Sequence, residues 1–62
     1  MPAEQAIAAV QTLIFTIGDP AERSRVEGIL DARMQGRDVP SWDAMTPLMR
    51  VADLYLRGVI TP

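Results

Sequence analysis

The stretch Ile17-Gly18-Asp19-Pro20-Ala21-Glu22 decides how this chain folds, because it ends one helix and begins another within a few residues. Gly18 stands where helices commonly end in a left-handed residue. Asp19 is a favoured N-cap and Pro20 suits the first helical position. Glu22 follows the cap by three residues, where a reciprocal capping contact forms. The stretch therefore predicts two helices joined by a turn so short that they form an antiparallel hairpin.

The same pattern of helix-starting and helix-ending residues recurs later and predicts a third helix. Gly36 and Gly58 are predicted to end helices. Thr46-Pro47 repeats the pattern of a capping residue followed by proline, which begins a helix. Ser41 is placed to cap a short helical turn. The predicted helices are residues 3–17, 20–35 and 47–57, with a short turn over 42–45. One kinked helix from Trp42 onward is the alternative, although a proline deep inside a helix lacks a donor and clashes with the preceding turn.

These elements predict an all-α fold in one small domain, residues 1–62, with the third helix packed across the hairpin. A domain of about 60 residues buries only about 60% of the surface that its unfolded chain exposes. The chain has no Cys and no His, so disulfides and ordinary zinc sites are excluded as reinforcement. We therefore expect an oligomer. For the tail from Val59 to Pro62, a packed extended strand and a segment that continues further both stay open.

Apolar side chains surround most of the third predicted helix. At 100° per residue they cover about 220° of its circumference and leave one strip for Arg50, Asp53 and Arg57. Asp53 and Arg57 have the spacing of a favourable ion pair within one helix. The first helix has an ordinary core stripe, but Phe15 lies on nearly the opposite side. A helix that is apolar most of the way round must be covered on more than one side.

We therefore expect the first and third helices to form a second burial surface, covered by another copy or by a larger protein partner. The chain would then be a non-catalytic interaction module, either a homodimer or a small accessory or regulatory subunit. The alternative is a self-contained monomer in which Phe15 folds under the tail against Val59 or Ile60. The predicted interface residues are Phe15, Trp42, Met45, Met49, Leu54, Tyr55 and Leu56.

Residue types that perform catalysis are scarce in this chain. His, Cys and Lys are absent, and Ser24 has no evident partner base. Glu27 and Asp31 lie one helical turn apart, a spacing that in principle holds a metal ion but more often marks a solvated face. The isolated glycines form no phosphate-binding loop. We expect no enzymatic activity, no cofactor and no metal.

The charge balance gives no general attraction to nucleic acid. Eight acidic residues stand against six basic ones, all of them Arg, for a net charge of −2. The alternative function is a small regulator that binds nucleic acid through Arg23, Arg33 and Arg37. These arginines alternate with acids and point in divergent directions on a helical wheel, so we expect no nucleic-acid partner.

One uncharged stretch, Gln5 to Gly18, raises the question of a membrane or export segment. Its 14 residues fall short of the roughly 20 that span a bilayer. No positively charged segment precedes it, as a secretory signal would require. We expect a cytoplasmic protein with no membrane partner.

Overall fold

The computed structural model describes residues 1–62, and it contains three α-helices and no strand. Helix α1 spans Glu4–Thr16, α2 spans Pro20–Gln35, α3 spans Pro47–Leu56, and a 3₁₀ turn covers Trp42–Ala44. The prediction of an all-α fold with three helices is confirmed. The alternative prediction, one kinked helix from Trp42 onward, is wrong, because Met45 and Thr46 are extended between the 3₁₀ turn and α3.

Local capping contacts fix most helix ends. The Asp19 carboxylate accepts from the amides of Ala21 and Glu22 at 3.4 and 3.3 Å. Gly36 and Gly58, with φ of 68° and 77°, end α2 and α3 in the left-handed region that favours glycine. The side chain of Ser41 makes no capping hydrogen bond, so its expected cap is wrong.

The C-terminal end of α1 is capped by a side chain from α2. Gly18 was expected to be left-handed, but Gly36 and Gly58 are the only residues with positive φ. Instead, Arg23 donates from Nε and Nη2 to the carbonyl oxygen of Ile17 at 3.1 and 2.7 Å. A guanidinium fork thus satisfies the end of α1 without a left-handed glycine.

The N-terminal end of α3 is tied to α2. The Thr46 hydroxyl accepts from the Met49 amide at 3.4 Å and donates to the Glu22 carboxylate. Glu22 also pairs with Arg25 at 3.1 Å. The reciprocal cap expected of Glu22 on α2 is therefore wrong, because its carboxylate turns toward Thr46 and Arg25.

Helix α3 is the central element, because it packs against both α1 and α2 more extensively than these two pack against each other. A close hairpin of α1 and α2 is therefore not the main packing unit. The breadth of the apolar arc on α3 follows from this position between two helices. The buried core consists of Ala6, Val10, Ile17, Val26, Ile29, Met45, Met49, Ala52 and Leu56.

An ion pair with one buried member links α2 to α3. Asp53 is only 2% exposed and is the one charged residue in the interior. Its Oδ1 accepts from Arg33 Nε at 2.8 Å, and its Oδ2 lies 3.5 Å from Arg57 Nη1. The predicted pair of Asp53 and Arg57 is present. Asp53 shares the predicted strip with Arg50 and Arg57, and it is buried because α2 covers that side of α3.

Candidate interaction surface

Three of the predicted interface residues lie in the core instead. Met45, Met49 and Leu56 are buried among the apolar side chains contributed by all three helices. Met49 and Leu56 face the neighbouring helices because α3 lies between α1 and α2, and Met45 lies just before α3. Their side chains therefore fill the interior and do not belong to an exposed interface.

Phe15 is the most exposed large apolar side chain within a helix. It is 91% exposed, although it lies in the last turns of α1. The alternative in which the tail covers it is therefore wrong. Leaving a phenylalanine in water forgoes about 1.5–3 kcal/mol of burial free energy. This side chain contributes almost nothing to the core and is available to a partner.

A second apolar patch lies at the C-terminal end of α3. Leu54 is half-buried and does not pack on the core, whereas the half-buried Tyr55 does. The exposed Val51 precedes Leu54 by three residues and so lies on the same side of the helix. The Val59 amide donates to the Leu54 carbonyl at 2.9 Å, which brings the exposed Val59 beside it. The tail forms this turn and no strand.

Trp42 is partly exposed and is held by Arg50. The guanidinium carbon of Arg50 lies 5.2 Å from the centre of the indole ring, within cation–π range. Arg50 Nε also donates to the Trp42 carbonyl at 3.0 Å. The ring of Trp42 is therefore held in place at the surface and does not fill the core. An interface residue has to be accessible in this way.

An open groove of about 480 Å³ lies between α1 and α2. It was not foreseen from the sequence, although the helix-interior Gly28 was a usable sign. Phe15 does not line the groove, but it follows the lining residue Gln11 by one helical turn on the same side of α1. The groove is lined by Gln11, Ile14, Glu27, Gly28, Leu30, Asp31 and Met34.

The arginines proposed for nucleic-acid contact are occupied within the chain. Arg23 caps α1, Arg33 pairs with Asp53, and Arg37 Nη2 lies 3.0 Å from Asp31 Oδ2. The other three arginines also contact an acceptor within the chain. The structure therefore brings no cluster of unpaired cations to one face.

The two carboxylates considered for a metal, Glu27 and Asp31, both line the groove. Asp31 accepts from Gln35 at 3.1 Å and from Arg37 at 3.0 Å, whereas Glu27 has no ion-pair partner. No three acidic side chains gather in the geometry of a metal site. Their common feature is that they place negative charge beside an apolar surface.

The fold and surface define a small three-helix domain with exposed apolar side chains on α1 and α3. In comparisons with known proteins, the chain matches no family model, no curated protein and no solved structure. None of its helices combines the length and the apolar character needed to cross a bilayer.

Proposed function

We propose that this chain is a non-catalytic protein–protein interaction module, acting as a homodimer or as a small accessory or regulatory subunit of a larger protein. The exposure of Phe15 carries the proposal. Aromatic rings are frequent energetic anchors of protein interfaces, because they bury a large area at little cost in conformational entropy. A ring held on a helix and unused by the core has the properties of such an anchor.

Both helices named for the interface contribute exposed apolar surface. Helix α1 contributes Phe15, and α3 contributes Val51 and Leu54, with Val59 beside them. Trp42 adds a second aromatic ring, already fixed by Arg50. Compared with the predicted interface, this set omits the residues that lie in or pack against the core and adds two exposed ones. The omitted residues are Met45, Met49, Tyr55 and Leu56, and the added ones are Val51 and Val59.

Photo-crosslinking from position 15 tests the proposal. Phe15 is replaced by benzoylphenylalanine, and the matched control carries the same group at Asp38, an exposed position on the connector between α2 and α3. Illumination of the purified chain, and separately of cells that produce it naturally, gives covalent products that are sized by mass spectrometry.

We expect products from position 15 and none of comparable yield from position 38. A product of twice the chain's 6.8 kDa identifies a second copy, and a heavier one identifies a larger partner. Equal yields from both positions, or no product from position 15 in either sample, would contradict the proposal.

A further inference from the structure

We infer that the groove between α1 and α2 binds a cationic amphipathic helix of a partner protein, with apolar side chains on the groove floor and Lys or Arg side chains against its acidic residues. This inference rests on the proposed interaction function and specifies the kind of partner. It follows from the shape of the groove, from Gly28 and from the distribution of charge.

The floor of the groove is apolar and comes from both helices. Ile14 of α1 and Leu30 of α2 are half-buried there, and Met34 of α2 is exposed. Met34 does not pack on the core, and its flexible thioether adapts to irregular partners. A channel between two helices with such a floor is a common receptor for the apolar face of a third helix.

Gly28 opens the middle of the groove. It lies in the interior of the 16-residue helix α2, where glycine costs about 1 kcal/mol relative to alanine. Its φ is not positive, and a Cβ built there meets no atom within 4 Å. Neither the backbone conformation nor packing inside the chain therefore requires glycine. The missing side chain leaves room for an occupant to approach the α2 backbone.

Charge selects a cationic occupant. Glu27 has no ion-pair partner, and the pair of Asp31 with Arg37 is solvent-exposed, with side chains 61% and 59% accessible. Exposed pairs of this kind contribute about 0–1 kcal/mol, so a partner's cation can replace Arg37 at little cost. Every arginine of this chain already has an intramolecular contact. A second copy would thus bring the same acidic groove, and each of its arginines would have to leave a carboxylate or carbonyl that it already contacts.

Phe15 lies on α1 just outside the groove lining. It lies one turn beyond Gln11, which lines the groove, and its ring is almost fully exposed. The face of a phenylalanine ring attracts Lys and Arg as well as apolar side chains. The same partner helix can therefore occupy the groove and cover the proposed anchor.

The probe for this inference is a synthetic peptide of Leu and Lys, about 14 residues or roughly four helical turns long, with the leucines on one helical face. It is titrated into the ¹⁵N-labelled chain and followed by amide chemical shifts. The matched peptide carries Glu in place of every Lys. We expect the Lys peptide to bind, with the largest shifts at groove residues such as Gln11, Gly28 and Asp31, and the Glu peptide to bind at least about tenfold more weakly.

Two variants of groove residues sharpen the test. Gly28→Leu fills the groove and should weaken the Lys peptide about tenfold or more, whereas Ala21→Leu, exposed in the first turn of α2, should not. Glu27→Gln should weaken it by roughly threefold to tenfold, unlike Asp38→Asn on the connector.

Arg37→Gln should change the affinity for the Lys peptide in the opposite direction. It releases Asp31, so the Lys peptide should bind roughly threefold more tightly. The matched change Arg25→Gln removes the same charge outside the groove and should have a smaller effect. Equal effects of the two changes would show that only the net charge is sensed, and would overturn the inference.

The inference is also overturned if the Glu peptide binds as well as the Lys peptide, or if Gly28→Leu binds the Lys peptide as tightly as the parent chain. Crosslinking from position 15 is measured independently of these titrations. Persistent crosslinking with no peptide in the groove would leave the interaction module standing and reject its cationic partner.

Discussion

Arg33 on α2 and Asp53 on α3 form the shorter of the two ion pairs made by the one buried charged residue, with 2.8 Å between Nε and Oδ1. Asp53 lies on the helix that packs against both others, so its carboxylate is withdrawn from water by the core itself. A buried carboxylate requires a cation and hydrogen-bond donors to offset its lost hydration. Arg33 supplies a cation and one hydrogen bond, Arg57 supplies a longer second one, and the contact with Arg33 ties α2 to α3.

Arg33→Met should destabilise the fold by about 2–4 kcal/mol, because it strands a buried carboxylate. Arg57 remains at 3.5 Å, but it is a more distant partner. Urea unfolding followed by circular dichroism measures the change. The control is Arg25→Met, which breaks the exposed pair with Glu22 and should cost about 1 kcal/mol or less. Equal losses of stability in the two variants would show that Arg33 does not offset the burial of Asp53.

The double variant Arg33→Met with Asp53→Leu isolates the coupling between these residues. Replacing both members of a buried pair with apolar groups is often near neutral, since no charge is left stranded. We expect the double variant to be more stable than Arg33→Met alone, as measured by a double-mutant cycle in urea. Strictly additive losses would show that the two side chains stabilise the fold independently.

The glycines should respond to alanine with opposite signs. Gly28→Ala should stabilise the chain by about 0.5–1 kcal/mol, because its helical backbone accepts a Cβ and nothing obstructs it. Gly36→Ala should destabilise it by about 1–2 kcal/mol, because φ there is 68°. Thermal unfolding of both variants checks this pair, and a loss of stability at Gly28 would show a packing requirement that the structure lacks.

Thr46→Ala should cost about 1–2 kcal/mol, because the hydroxyl caps α3 and donates to Glu22 on α2. The matched change is Thr12→Ala. That hydroxyl, exposed on α1, donates to the Ala8 carbonyl at 3.0 Å, and its removal should be neutral or slightly stabilising. Equal denaturation midpoints for the two variants would show that the Thr46 hydroxyl does not stabilise the fold through its contacts with α3 and Glu22.

The chain should not bind duplex DNA. Arg23, Arg33 and Arg37 are each engaged within the protein, and the net charge is −2. A fluorescently labelled duplex at low salt should show no anisotropy change up to about 100 μM protein, near the weak end of non-specific binding. Binding that weakens steeply as salt rises would instead restore the nucleic-acid alternative.

The helix boundaries were predictable because they depend on neighbouring residues. Asp19 and Gly36 act within one turn of the chain, and their effect is local. The cap of α1 was not predictable in this way, since Arg23 reaches the Ile17 carbonyl from the next helix. Gly18 was enough to explain the end of α1 from neighbouring residues, but a tertiary contact supplies the cap instead.

The surface was harder to predict, because a helical wheel gives directions around one helix and no information on its neighbours. It identified Phe15, which lies apart from its helix's core stripe, but it could not show that α3 lies between two helices. Met49 and Leu56 were therefore assigned to the interface, although both are buried. The groove beside Gly28 depends on the separation of α1 and α2, which the order of residues does not encode locally.

The most direct test of the interaction surface compares Phe15→Asp with Thr12→Asp, a change at another exposed position of α1, in sedimentation velocity and urea unfolding. The first experiment follows the parent and variant chains in complex with whichever partner position 15 crosslinks to, a second copy or a larger protein. We expect Phe15→Asp to abolish that complex while its unfolding free energy stays within about 1 kcal/mol of the control. A complex of unchanged mass together with a large loss of stability would contradict the account, because Phe15 would then hold the fold and not a partner.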